Sequence, residues 1–162
     1  MRIGYGEDIH ALKSGRKLIL GGVHIPYEFG LDGHSDADVV YHALSDALLG
    51  SLALADIGKY FPPTDESIAG ISSSIIVSSC YKMLQEKGYR VVNVDISILA
   101  EKPHLAEYIL QMRENIAHLL QTEIENVSVK AMTNEGFDAI GAKKAIKAVA
   151  VTLIDKETNY SK

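Results

Sequence analysis

One segment of the chain predicts a central helix: Leu31-Asp-Gly-His-Ser-Asp-Ala-Asp-Val-Val-Tyr-His-Ala-Leu-Ser-Asp-Ala-Leu-Leu-Gly50. Asp38, His42 and Asp46 recur at intervals of four residues within it. Residues four apart lie one above the other on an α-helix, so these three side chains share one stripe of its surface. We therefore predict a helix over residues 36–54, with two carboxylates and an imidazole on one face.

A second signal lies near the start of the chain, in the segment Gly4-Tyr-Gly-Glu-Asp-Ile-His10. Residues two apart in a strand point to the same face, so Asp8 and His10 are aimed together. With His42 they provide one carboxylate and two imidazoles, a ligand set that suits a zinc ion with one open position. The same set is the facial triad of non-haem Fe(II) enzymes, which leaves iron as an alternative. Those enzymes usually have a β-barrel, whereas this chain has strong helical patterns, so zinc is the preferred interpretation.

Size and composition indicate an ordinary globular protein. A chain of 162 residues, 23% charged and 47% hydrophobic, fits one domain over residues 1–162. The net charge of −5 gives no basic surface for nucleic acid. The single Cys80 excludes an internal disulfide and suits a reducing compartment. We find no signal-peptide pattern, and the most apolar run, residues 43–55, is too short to span a bilayer, so we predict a cytoplasmic protein without membrane contact.

The periodicity of apolar residues predicts the remaining elements. Strands are expected at residues 2–10, 91–100, 127–132 and 145–154, a hairpin at 17–25, and further helices at 75–87 and 103–120. Ser35 or Asp36 is expected to cap the central helix by accepting hydrogen bonds from its free N–H groups. The order of elements predicts an α+β (α/β sandwich) fold: a single mixed sheet of about four main strands, helices on one face, a small β-hairpin and ferredoxin-like topology. The polar residues 155–162 are expected to form a frayed tail.

Three further segments carry polar side chains where ligands commonly bind. His34 precedes the helix N-terminus, where backbone donors and the helix dipole favour phosphate. Asp56-Ile-Gly58 and Pro63-Thr-Asp65 supply loop carboxylates, although such residues are also typical of turns. Glu135 follows a predicted buried strand, and its oxygens suit a hard cation such as Mg²⁺. The chain has no Gly-rich phosphate loop and no nucleophile elbow, so the nucleophile of any reaction would come from the substrate or from metal-bound water.

Taken together, these motifs resemble one family closely, the 2-C-methyl-D-erythritol 2,4-cyclodiphosphate synthases of the non-mevalonate isoprenoid pathway. The likeness extends from Met1 to Ile154 in order and without large gaps. Its most specific parts are Asp8-Ile-His10, His34-Ser-Asp-Ala-Asp38 and His42-Ala-Leu-Ser-Asp-Ala-Leu-Leu-Gly50. The other matching positions are 1–4, 21–23, 25–27, 56–59, 61–62, 64–65, 93–95, 111–113, 130–131, 133 and 135.

The resemblance implies a particular reaction. The substrate would be 4-diphosphocytidyl-2-C-methyl-D-erythritol 2-phosphate, whose own 2-phosphate attacks the β-phosphorus of the diphosphate. CMP leaves and a cyclic diphosphate forms, which agrees with the lack of a protein nucleophile. Family members are homotrimers with active sites between subunits, and the same assembly is expected here.

The resemblance also implies roles for individual residues. Asp8, His10 and His42 would bind zinc, and Glu135 would bind a Mg²⁺ or Mn²⁺ that bridges the diphosphate. His34 and Thr133 would be catalytic and stabilise the transferring phosphoryl group. The residues expected to bind substrate are Asp8, His10, His34, Ser35, Asp56, Ile57, Gly58, Phe61, Thr64, Asp65, Ala100, Pro103, Leu105, Ala106, Met132, Thr133 and Glu135.

The chain departs from the family pattern at several positions. Pro63 stands where Asp is usual, and His104 stands where Lys is common. Ala139 and Ala142 replace an aromatic residue and an arginine, and Glu7 stands where an aromatic residue can occur. The altered segment Gly136–Ala145 leaves open a second alternative, a trimeric binding protein that kept the site but lost turnover.

Overall fold

The computed structural model describes residues 1–157 and contains one mixed five-stranded sheet, a two-stranded hairpin and five helices. The strands are β1 (Arg2–Ser14), β2 (Leu18–Leu20), β3 (Val23–Ile25), β4 (Phe29–Leu31), β5 (Tyr89–Leu99), β6 (Val127–Met132) and β7 (Ala145–Lys156). The helices are α1 (Val39–Ser51), α2 (Ile57–Tyr60), α3 (Ser73–Glu86), α4 (Ile109–Leu119) and α5 (Asp138–Gly141). Short 3-10 turns cover Glu66–Ile68, Ala106–Tyr108 and Ile124–Asn126.

The main sheet has the strand order β4-β1-β7-β5-β6. Only β5 and β6 are parallel, because α4 carries the chain back between them, and the other neighbours are antiparallel. The predicted single mixed sheet with four long strands and helices on one face is confirmed. Along the chain, however, the main elements follow as β-α-β-α-β-β, rather than the β-α-β-β-α-β of a ferredoxin-like fold. The last strand, β7, therefore lies inside the sheet between β1 and β5.

Helix α1 begins later than its sequence pattern predicts. Its N-cap is Asp38, whose carboxylate accepts hydrogen bonds from the backbone N–H groups of Val40 and Tyr41 at 3.1 and 3.2 Å. The predicted caps bind elsewhere: Ser35 Oγ accepts from the backbone N–H of residue 37, and the Asp36 carboxylate accepts from residue 73. The expectation of a cap at Ser35 or Asp36 was therefore wrong, because both side chains have other partners.

The hairpin of β2 and β3 is attached to the same cap. Gly21 and Gly22 form its turn with φ angles of 57° and 74°, a backbone conformation that favours glycine. Their N–H groups donate to the two carboxylate oxygens of Asp38 at 3.0 and 2.7 Å. Burial nevertheless raises the pKa of the Asp38 carboxyl to about 6, because the loss of water outweighs these hydrogen bonds. One buried carboxyl group thus joins the hairpin to the start of α1.

Two glycines let α1 approach the sheet very closely. A Cβ atom at Gly4 would lie 1.8 Å from the carbonyl oxygen of Ala47, and one at Gly6 would lie 2.2 Å from that of Ala43. Both glycines belong to the buried face of β1, which also carries Asp8 further along the strand. This close approach is what brings His42, in the first turn of α1, over the metal-binding pattern of β1.

The ends of the chain differ in part from expectation. Asp155 and Lys156 belong to β7 rather than to a frayed tail, since β7 pairs with β5 as far as Lys156. The Asp155 carboxylate also lies 2.8 Å from the amino group of Met1. Residues 158–162 of the predicted tail lie outside the described part of the chain.

The core lies between the sheet and α1, α3 and α4, where the large apolar side chains are buried. The opposite face of β1 and β7 is different, because it leaves Ile3, Tyr5, Ile9 and Val151 between 41% and 71% exposed. Across residues 1–157, none of the helices is both long and apolar enough to pass through a bilayer.

Candidate active site

Three side chains converge where α1 crosses β1. Asp8 Oδ2 lies 2.7 Å from His10 Nε2 and 2.9 Å from His42 Nδ1, and the two nitrogens are 3.2 Å apart. A tetrahedral zinc ion with bonds near 2.0–2.1 Å holds its ligand atoms about 3.3 Å from one another. One oxygen and two imidazole nitrogens at this spacing therefore fit such an ion, and we refer to Asp8, His10 and His42 as the triad.

The ring of His10 is oriented by the backbone. Its Nδ1 atom lies within hydrogen-bond distance of the carbonyl oxygen of Asp32, so Nδ1 carries the proton and donates it there. Nε2 then faces Asp8 and is the ring nitrogen available to a metal. A Cβ atom at Gly33 would lie 3.0 Å from the His10 ring, so glycine leaves the room that this orientation needs. Such outer contacts are typical of metal-binding histidines.

The charges of the triad support each other. Burial opposes ionisation of Asp8, but its close contacts with the His10 and His42 imidazoles hold the pKa of its carboxyl well below the ordinary value. Burial likewise acts against a charged His10, yet the Asp8 carboxylate raises the pKa of that imidazole overall. The centre of the triad is therefore an ionised carboxylate, the form that binds a metal cation.

A cavity of about 240 Å³ opens beside the triad. The predicted substrate-binding residues His34, Ser35, Ile57, Gly58 and Phe61 line it together with the triad. The remaining lining residues are Pro63, Ile68, Ile71 and Ile76. A small site with polar groups at one end and apolar walls at the other suits a phosphorylated, partly apolar ligand.

Three predicted residues lie near this first cavity without lining it. Asp56 is the N-cap residue of α2. Thr64 and Asp65 are exposed in the loop that follows, and the backbone carbonyl of Asp65 lies 3.0 Å from His34 Nε2. Asp65 thus orients His34 through its backbone, while direct contact of these three side chains with substrate stays a prediction.

A second cavity, of about 460 Å³, lies at the ends of β5 and β6. It brings together six residues predicted to bind substrate: Ala100, Pro103, Leu105, Ala106, Met132 and Thr133. Glu101 also lines this cavity, and its carboxylate accepts hydrogen bonds from the backbone N–H groups of Asn134 and Gly136 at 2.9 and 3.2 Å. The turn that carries Glu135 is therefore held in place by Glu101, a residue the sequence analysis missed.

The two cavities are well separated within one chain. Asp8 pairs with Ala148 of β7, Ala148 pairs with Ile98 of β5, and Ile98 pairs with Ala131 of β6. Three strand spacings of 4.7–4.9 Å place Asp8 and Ala131 about 14 Å apart. The structure therefore does not bring Thr133 or Glu135 to the triad of the same chain. Glu135 instead accepts a hydrogen bond from Thr133 Oγ1 at 3.3 Å.

Asp46 completes the stripe predicted on α1, although its role was not anticipated. Its carboxylate accepts a hydrogen bond from the backbone N–H of Ile57 at 2.8 Å and so fixes the start of α2 beside the first cavity. Burial raises the pKa of the Asp46 carboxyl. The signal in the sequence was its four-residue spacing from His42, but its partner could not be read from spacing.

Comparison with known proteins decides the family. The model of the YgbB family matches residues 1–155. The chain belongs to the YgbB family. Its relatives are named 2-C-methyl-D-erythritol 2,4-cyclodiphosphate synthase. These names confirm the resemblance drawn from the sequence motifs.

The matches cover almost the whole length of these relatives and of this chain. The synthase of Brachyspira hyodysenteriae is 53% identical over 156 residues, which covers 96% of this chain and 99% of the relative. The synthase of Chloroherpeton thalassium is 54% identical with the same coverage. Among solved structures, IspF from Plasmodium falciparum in complex with CDP superposes with a TM-score of 0.85 at 34% identity, covering 97% of each chain. The YgbB-family fold is thus shared from end to end with proteins named as enzymes.

Proposed function

We propose that the protein converts 4-diphosphocytidyl-2-C-methyl-D-erythritol 2-phosphate to 2-C-methyl-D-erythritol 2,4-cyclodiphosphate and releases CMP, acting as a phosphorus–oxygen lyase of isoprenoid biosynthesis. The observation that carries the proposal is the convergence of Asp8, His10 and His42 beside a small cavity. The names of the relatives give the product, and the lack of a nucleophile-elbow motif in the sequence agrees with attack by the substrate's own phosphate.

The triad fits one metal ion, and we propose that the Glu135 carboxylate helps to bind a second. The triad would hold Zn²⁺, a Lewis acid for a phosphate oxygen, and Glu135 would hold Mg²⁺ or Mn²⁺, which neutralises charge on the diphosphate. The donor chemistry supports this division, since two imidazoles and a carboxylate suit zinc, whereas an isolated carboxylate suits a hard cation.

The chain itself contributes mainly by folding the substrate. His34 and Ser35 bind phosphate at the triad, while Ile57 and Phe61 provide apolar walls that exclude water. Thr133 stabilises the transferring phosphoryl group from the nucleotide side. An intramolecular attack held in the right geometry can lower the barrier by about 7–11 kcal/mol relative to free reactants. Positioning of the two phosphates is therefore the largest contribution expected of this site.

The proposed assembly is a homotrimer with active sites between subunits. Two observations support it: the exposed apolar side chains on the free face of β1 and β7, and the distance between the two cavities of one chain. Covering the apolar face with other copies removes it from water, and it allows the nucleotide cavity of one subunit to serve the triad of its neighbour. The CDP complex of the Plasmodium falciparum structure supports a cytidine nucleotide as the ligand.

The decisive experiment is incubation of the purified protein with the cytidylyl substrate and Mg²⁺. We expect CMP and the cyclic diphosphate to form in equal amounts. Nucleotide chromatography measures the CMP, and ³¹P NMR measures the cyclic diphosphate. No CMP at micromolar enzyme would instead indicate a trimeric binding protein without turnover. Metal analysis of protein purified without added metal tests the other alternative, because stoichiometric iron with redox activity would identify a non-haem Fe(II) enzyme.

A further inference from the structure

His42 has a second set of polar neighbours on the side of the ring that faces away from Asp8. Its Nε2 atom lies 3.0 Å from Ser73 Oγ and 3.1 Å from Ser35 Oγ. Ser73 Oγ in turn lies 2.5 Å from a carboxylate oxygen of Asp36. Ser73 is fully buried, and Ser35 and His42 are each only 7% exposed, so water does not compete for these contacts.

The Asp36 carboxylate sets the direction of the hydrogen bonds that lead through Ser73 to His42. An ionised carboxylate only accepts, so the Ser73 hydroxyl must donate its proton to Asp36. The Ser73 oxygen is then left with lone pairs toward His42 and can only accept from Nε2–H. Ser35 Oγ accepts from the backbone N–H of Ala37 and lies 3.1 Å from Ser73 Oγ, to which it can donate. The contact between Ser73 and His42 therefore requires a proton on Nε2 of the imidazole.

We propose that Ser73 and Asp36 are positioning residues that hold His42 in the Nε2–H form and so present the lone pair of Nδ1 to the metal. The inference rests on the proposed metal role of the triad. In a neutral imidazole only one nitrogen carries the proton, so fixing it on Nε2 frees Nδ1, the atom that lies 2.9 Å from Asp8 and 3.2 Å from His10.

The position of Ser73 is itself fixed by Asp36. The backbone N–H of Ser73 donates to Asp36 Oδ2 at 3.0 Å, while Oδ1 accepts from the Ser73 hydroxyl and from the N–H of Asp38 at 3.1 Å. These bonds connect the segment before α1 with the first residue of α3. Their loss could weaken α3 as well as His42, so the test must separate the two effects.

The first test places the proton directly. Metal-free protein labelled with ¹⁵N-histidine is studied by long-range ¹H–¹⁵N correlation at pH 8, where an ordinary imidazole is neutral. We expect Nε2 of His42 to be protonated in the wild type and to lose that proton in Ser73→Ala, where the proton moves to the nitrogen facing Asp8. An unprotonated Nε2 in the wild type, or an unchanged signal in Ser73→Ala, overturns the proposal.

The second test measures zinc affinity by competition with a chromophoric chelator. Ser73→Ala is expected to bind zinc about 10–100-fold more weakly, as is typical when a group that orients a metal-binding histidine is removed. Ser72→Ala is the matched control, because Ser72 caps α3 through the N–H of Ser74 but touches no imidazole. It should bind zinc as the wild type does. Equal losses in the two variants would indicate a loosened helix and refute the proposal.

Asp36→Asn provides a second variant in case Ser73→Ala folds poorly. Its amide retains a single oxygen for the three donors, so zinc affinity should fall in the same direction. Unchanged affinity in both variants refutes positioning by this pair. The NMR measurement uses metal-free protein, so it tests this inference independently of the proposed reaction. If Nε2 of His42 is protonated in the wild type and loses its proton in Ser73→Ala, but no CMP is released, only the proposed reaction is refuted.

Discussion

At the scale of single residues, His42 matters most, because it is buried and both ring nitrogens face polar groups. On one side lie Asp8 and His10, which make it a metal ligand in our proposal. On the other lie two serines and a carboxylate, which leave the ring little freedom to rotate. The imidazole is thus preorganised, as efficient metal sites require.

His42→Ala is expected to abolish zinc binding and to lower CMP release by more than about 100-fold, since one of three protein ligands is lost. Elemental analysis and steady-state assays measure these effects. The fold should persist, because a single truncation of this kind costs about 1–3 kcal/mol. Circular dichroism provides the control, and undiminished turnover would remove His42 from the proposed ligand set.

The residues of the triad could be predicted from the sequence, whereas their supports could not. Asp8 and His10 alternate on a strand, and His42 lies on the polar stripe of the predicted helix. Ser73 is far from His42 along the chain, and a serine at the start of a helix usually only caps it. Its contact with the imidazole depends on how α3 packs against α1, which local pattern does not encode.

At the scale of elements, α1 is held by contacts at both its start and its middle. The Asp38 cap joins it to the hairpin, and the glycines of β1 let it lie close to the sheet. The helix itself could be predicted from periodicity. Its first residue could not, because half of the hydrogen bonds to the Asp38 carboxylate come from the turn at Gly21 and Gly22 rather than from the helix.

Gly6→Ala should force α1 away from β1, since its Cβ would lie 2.2 Å from the Ala43 carbonyl oxygen. We expect a loss of about 1–3 kcal/mol in the free energy of unfolding, measured with urea, and weaker zinc binding. Gly50→Ala is the control, because its Cβ would meet only Tyr5 O at 3.4 Å. Equal stability of the two variants would show that the close approach is not required.

The Asp38 carboxyl should make stability depend on pH. Its pKa is about 6 in the fold, against an ordinary value of 3.8, so the folded state keeps its proton longer than the unfolded chain does. The contribution is therefore fully present below about pH 4 and is lost as pH rises through about 6. Relative to Asp38→Asn, which does not titrate there, the wild type should lose about 2.4 kcal/mol between pH 4 and pH 7. Urea titrations at fixed protein concentration measure this difference, and a constant difference would contradict it.

At the scale of the whole molecule, the sheet has one face covered by helices and another that exposes apolar side chains. The layers could be predicted from the order of elements. The place of β7 between β1 and β5 could not, because strand order depends on pairings between distant parts of the chain. The separation of the two cavities follows directly from that order.

Ile3→Glu should disrupt the proposed trimer, because it places a charge on the exposed apolar face of the sheet, where Ile3 is 71% exposed. We expect a smaller particle by analytical ultracentrifugation and a large loss of CMP release, while zinc binding persists because the triad belongs to one chain. Ile75→Glu is the control, since this 52% exposed side chain lies on α3. A trimer that survives Ile3→Glu would place the interface elsewhere.

The separation of the cavities has a consequence for inhibitor chemistry. Fragments found in the two cavities of one chain cannot be joined by a straight linker, because the packed strands that carry Ala148 and Ile98 lie between them. In the proposed trimer, a chelating fragment beside His42 would instead be extended toward the neighbouring copy. Compounds of that design would lose potency on a dissociated variant, while simple chelators would not.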